Sequence, residues 1–192
     1  MQYIAPQHRN KWHHFGPHSY LVDAMGRPSA SAMSIRSGYI QSAPRDSCST
    51  TVGSWGTPPA GTPWPVSGYV GGHLIAASLG GSPARINLTP QAQEINASSF
   101  TRIESAVRVC GGNSRYRVDF TVHPSYEYSS PLTPISYHVF VRVTPTTRWF
   151  PNGGGEGGMV IPNWTGASTS NTLANINLKV DAFVSAVRTS CL

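Results

Sequence analysis

Acidic residues are scarce in this chain: 8 Asp and Glu stand against 14 Lys and Arg, for a formal net charge of +6. Between Val70 and Cys110 the only carboxylates are Glu94 and Glu104. That excludes a carboxylate-rich calcium cage or a two-metal carboxylate site from this window. Lysine is nearly missing too, with Lys11 and Lys179 its only instances. The positive charge is therefore almost all arginine, whose planar fork suits phosphate. These arginines are scattered and form no run, so they fit either a polyanionic partner or simple solubility. Cysteine is limited to Cys48, Cys110 and Cys191. Their spacing matches no short metal-ligand motif, and an odd count allows one disulfide but not a disulfide scaffold. No apolar run is long enough to cross a membrane, so no membrane partner is expected. The start, Met1-Gln2-Tyr3-Ile4-Ala5-Pro6, lacks the charged-then-apolar order of a secretory signal.

What remains is a chain of 192 residues, enough for one domain with a real core. Residues 1–18 are polar, aromatic and histidine-rich, and read as an N-terminal arm or linker ahead of a single domain over 19–192. Tyr20-Leu21-Val22-Asp23 and Gly26-Arg27-Pro28 read as a strand, a turn and a return. Tyr69 to Ile75 is strand-like, Gly80-Gly81-Ser82-Pro83 is a strong turn signal, and Ile86-Asn87-Leu88 begins a returning strand. After Pro90, Ile95, Phe100, Ile103 and Val107 take helical spacing until Gly111-Gly112-Asn113. Tyr116, Val118, Phe120 and Val122 alternate with polar residues, as do Ile135, Tyr137, Val139, Val141 and Val143, which predicts two half-buried antiparallel strands. Arg148 to Gly158 reads as an irregular loop. Leu173, Ile176, Val180, Phe183 and Val187 form the core-facing stripe of a C-terminal helix. The predicted fold class is α+β, an antiparallel sheet with a C-terminal helix.

The chemistry-bearing residues gather in one window. Cleaving a phosphodiester needs a group that takes a proton from attacking water and a cation that stabilises the departing oxygen. A neutral histidine suits the first task. Mg²⁺ suits the second, and it accepts few protein ligands because it keeps most of its waters. His73 at a strand end and Asn96 near the start of the following helix face each other across a hairpin-helix unit. Glu104, eight residues beyond Asn96, returns to roughly the same helix face and is placed to hold metal-bound waters. Asn87, on the returning strand, is placed to fix a water or steady the histidine. N-x-[ST] sequons fall at Asn87, Asn96 and Asn163. A glycan on either of the first two would block such a site, which argues against a glycosylating secretory pathway.

This window resembles the DNA/RNA non-specific endonucleases of the His-Me finger (ββα-metal) superfamily. Ile86-Asn87-Leu88-Thr89-Pro90-Gln91, Ile95-Asn96, Phe100 and Ile103-Glu104 follow that family's N-[IL]-[TV]-P-Q…L-N…W…L-E order, and Gly72-His73-Leu74 sits where the family places its histidine. Gly71-Gly72-His73-Leu74-Ile75 with Leu79-Gly80-Gly81 is similar to the form found in bacterial toxin-type members. The resemblance implies a ββα-metal core and a Mg²⁺-dependent endonuclease, with Mn²⁺ able to substitute. It would act on DNA or RNA with weak sequence preference and leave 5′-phosphates. His73 would be the general base, Asn96 the Mg²⁺ ligand, and Glu104 and Asn87 the supports. Val70 and Gly71 stand where the family carries Asp and Arg, so a phosphate contact must come from elsewhere. Arg45, Arg85 and Arg102 are the candidates. The toxin-type resemblance further implies a cognate immunity protein and export by a specialised route or within a larger effector, with action in a target-cell cytoplasm. The alternative is a catalytically impaired nucleic-acid-binding module on the same scaffold; a domain recognised only by a partner protein is a third reading.

Overall fold

The computed structural model describes residues 3–36, 48–58, 65, 67–127, 130–146, 154–164 and 172–192. A six-stranded antiparallel sheet runs in the order β1-β2-β3-β6-β7-β8. Its strands are β1 (Lys11–Phe15), β2 (His18–Val22), β3 (Pro28–Arg36), β6 (Tyr116–Glu127), β7 (Ser130–Pro145) and β8 (Gly155–Pro162). A separate hairpin pairs β4 (Tyr69–His73) with β5 (Leu88–Ala92). The helices are α1 (Cys48–Gly53), α2 (Gln93–Ile95), α3 (Thr101–Gly112) and α4 (Leu173–Thr189). Strand, turn, strand and helix follow one another in the expected order, so the α+β expectation holds.

The expected alternation is what closes the core. Tyr116, Val118, Phe120 and Val122 on β6 and Tyr137, Val139, Val141 and Val143 on β7 are all buried on one sheet face. They meet Ile103, Ala106 and Val107 of α3 and Ile176, Val180, Val184 and Val187 of α4. The opposite residues of the two strands face outward, among them the half-buried His123 and His138. Those two histidines are directly opposed across the strand pair.

Three features differ from expectation or complete it. Lys11–Phe15, within the stretch read as an arm or linker, is the sheet's edge strand, joined to β2 through a turn at Gly16 with φ +57°. Gly155–Pro162, whose first half lies within the stretch read as an irregular loop, is the opposite edge strand. Its glycines weaken strand propensity. Pairing to β7 overrides that, and a Cβ at Gly158 would stand 2.7 Å from the Phe140 ring, which lies over it. The cysteine pairing, open from sequence, is Cys110–Cys191, tying the end of α3 to the residues just beyond α4.

Candidate active site

The hairpin that carries His73 is fixed from both sides. His73 pairs with Leu88 at the end of the β4–β5 register, and Leu74 N donates to Asn87 O at 2.9 Å. The Asn87 side chain then closes the loop that follows. Its Oδ1 accepts from Ile75 N at 3.0 Å, while its Nδ2 donates to Ile75 O at 2.8 Å and Ser82 O at 2.9 Å. Gly81 is required there, since a Cβ would sit 1.8 Å from the Ile75 carbonyl. From β2, His18 Nε2 contacts Leu79 O at 2.9 Å and the Tyr20 hydroxyl accepts from Ser82 N at 2.9 Å. On the far side, buried Asn163 Oδ1 accepts from Ala92 N at 2.8 Å, and its Nδ2 donates to Pro90 O and Pro134 O. The Tyr137 hydroxyl, kept protonated by burial, bonds Thr89 and Pro90 O. Asn87 and Asn163 are fully buried with their amides engaged, so neither sequon accepts a glycan in the folded protein.

The helix after β5 is interrupted at a telling place. Asn96–Phe100 form a π turn between α2 and α3, with helical dihedrals on both sides. Side-chain hydroxyls occupy carbonyls around it: Ser98 Oγ donates to Glu94 O at 2.5 Å and Thr101 Oγ1 to Asn96 O at 3.2 Å. Eight residues of unbroken α-helix would leave Asn96 and Glu104 about 80° apart around the axis. A π turn absorbs one extra residue and closes that angle to roughly 20°.

His73, Asn96 and Glu104 accordingly line one cleft of about 680 Å³. His73, Asn96 and Glu104 are each half-buried. Among the described residues no group of three or more His, Cys, Asp or Glu comes together. The cleft's lining offers the Asn96 amide oxygen, which could hold a cation, and the Glu104 carboxylate, which could order the waters of an ion that keeps most of its shell. Tyr69 lines the same cleft, its hydroxyl pushed up to about 12 by burial and then by Glu94.

The other expected residues lie elsewhere. Asn87 is behind the cleft, as the clamp described above. Arg85 does not reach the cleft: it bonds Leu88 O, lies 5.3 Å over the Trp55 ring, and has its pKa lowered by burial, which Tyr126 and Asp23 partly offset. Arg102 turns outward to Asp181 at 2.8 Å. Arg45 falls outside the described residues. Among the described residues, the arginine that lines the cleft is Arg108, exposed and one turn beyond Glu104. The i,i+4 spacing from Glu104 was a signal available in the sequence.

The profile of the DNA/RNA non-specific endonuclease family matches residues 9–144. Among solved structures, magnesium-bound NucA from Streptococcus agalactiae superposes with a TM-score of 0.56 at 21% identity, over 83% of this chain and 74% of that one. EndoG in its complex with EndoGI gives a TM-score of 0.55 at 14% identity, over 82% and 77%. At these identities the likeness is one of fold. No curated protein matches significantly in sequence.

Proposed function

Because the chain belongs to the DNA/RNA non-specific endonuclease family, we propose that it is a divalent-metal-dependent endonuclease. It hydrolyses phosphodiester bonds of DNA or RNA in the cleft of His73, Asn96 and Glu104. The observation that carries this reading is that one cleft collects a proton acceptor, two hard oxygen donors and Arg108.

In this mechanism a ring nitrogen of neutral His73 takes the proton from water as the water attacks phosphorus. Arg108 holds phosphate oxygens and orients the strand. Asn96 would hold Mg²⁺, with Mn²⁺ able to substitute, and Glu104 would order its water shell. When bound, such a cation offsets the negative charge that builds on the phosphate and the departing oxygen. Asn87 is a positioning residue that keeps the backbone after His73 in place. Contacts to phosphate rather than to bases make the cleavage insensitive to sequence. The toxin-type Gly71-Gly72-His73-Leu74-Ile75 window supports delivery into a target cell and a cognate immunity protein that covers the cleft.

The test is plasmid cleavage with Mg²⁺, with EDTA, and with His73→Ala. Smearing that requires both the metal and His73 is the expected result. Intact plasmid with folded wild-type protein across several divalent metals would refute the enzyme and leave a nucleic-acid-binding module.

A further inference from the structure

The wall of the cleft beside His73 is built in an unusual way. Helix α1 lies on β4 with backbone touching backbone. A Cβ at Gly71 would stand 2.1 Å from the Ser49 carbonyl, and one at Gly53 would stand 2.8 Å from Val70 Cα. Both glycines are buried, and Val52 of the same helix is 1% exposed. A helix of six residues is too short to persist in water by itself. Here two absent side chains let it seat directly on the strand that ends at His73. The seat has a chemical consequence, because Ser49 and Thr50 line the same cleft as His73, Asn96, Glu104 and Arg108. Ser49 is half-buried and Thr50 exposed. Among the described lining residues Arg108 is the one arginine or lysine, so a phosphate in the cleft has a cation on the α3 side and neutral hydroxyls on the α1 side.

Resting on the nuclease reading above, we infer that α1 is a substrate-binding wall, its Ser49 and Thr50 hydroxyls donating to phosphate oxygens of the bound strand opposite Arg108. A hydroxyl donating to an anionic oxygen makes a charge-assisted hydrogen bond, stronger than a neutral one. Ser, Thr and Arg are all common partners of nucleic-acid phosphates. Position 71 thus trades any side chain of its own for a helix that presents two donors. The same packing bars an arginine at that position from reaching the cleft without displacing α1.

The experiment compares wild type, Ser49→Ala/Thr50→Ala and Arg108→Ala on a fluorescein-labelled double-stranded DNA oligonucleotide. Steady-state cleavage and anisotropy are each followed across a salt series. For the double variant, KM rises about tenfold or more while kcat stays within about twofold. The salt slope of binding keeps its wild-type value, since lost hydroxyls release no counterions. Arg108→Ala instead makes that slope shallower by about one. The conservative swap Ser49→Thr/Thr50→Ser retains most of the wild-type KM. Wild-type KM and affinity in the double variant, from protein with wild-type melting, would overturn the inference alone. Wild-type protein that neither binds nor cleaves the oligonucleotide would overturn the nuclease reading along with it.

Discussion

Replacing Asn87 by Ala separates architecture from chemistry at this site. The asparagine is fully buried, and its amide satisfies Ile75 N, Ile75 O and Ser82 O. Alanine removes all the partners at once and leaves those backbone groups without water. At about 1–1.5 kcal/mol for each group stranded in the interior, the loss is about 3–4.5 kcal/mol. For a domain of this size that lowers Tm by roughly 10 °C. Urea unfolding followed by far-UV circular dichroism reads the change directly, with an unaltered slope and a lower midpoint. Cleavage should fall as well, because the loop from Leu74 to Ser82 leaves His73 less firmly held. Asn87→Asp should be worse than Ala, since a carboxylate oxygen would face the Ile75 and Ser82 carbonyls in place of two N–H groups. Wild-type stability with lost cleavage would refute the reasoning and place Asn87 at the reacting centre instead.

Breaking Cys110–Cys191 by Cys191→Ser should cost about 4.5 kcal/mol by the chain-entropy relation for its separation of 81 residues, read as a lower urea midpoint that reductant reproduces in wild type. Arg102→Ala should change stability by no more than about 0.5 kcal/mol and leave DNA affinity nearly unaltered, because its ion pair with Asp181 is exposed and away from the cleft. Glu104→Gln should raise the Mg²⁺ concentration for half-maximal cleavage by about 10–100-fold, as measured by metal titration of activity. His123 is held below its ordinary 6.5, first by burial and then by His138, against a hydrogen bond to the Ser29 backbone. The unfolded chain therefore takes this proton first, so the contribution is complete above 6.5 and is lost as pH falls through that value towards the lower native one. Denaturant midpoints of His123→Gln should depend less on pH across that window than those of wild type.

Much of the fold is legible because its elements bury one face at a regular period. The alternation of Tyr116 to Val122 and of Tyr137 to Val143 marks strands whose outward partners remain polar, and the Leu173–Val187 stripe marks α4 in the same way. The edge strands were not legible, for the same reason. Lys11–Phe15 is mostly exposed and Gly155–Pro162 carries glycine at several positions, so neither shows the alternation that burial imposes. Asn163 read only as a sequon, because its role depends on Pro90, Ala92 and Pro134, far from it along the chain. Arg85 and Arg102 were reasonable phosphate partners by position, and in the structure each is turned towards other partners. One is drawn inward over Trp55, and the other is held by a helix that touches α3 only in three dimensions.

By itself, then, the sequence determined the kinds of groups available, the hairpin and helix that carry them, and the family to which they belong. Residue type and local period are properties of neighbouring positions, and they survive without knowledge of what packs against what. The tertiary structure decided the phase and the neighbours. A π turn at Asn96–Phe100 rotates Asn96 into line with Glu104, and that same helix face brings Arg108, not Arg102, to the cleft. Glycine at 71 reads as a missing side chain along the strand. In space it is the seat of α1, because backbone-to-backbone contact is possible only where no Cβ intervenes.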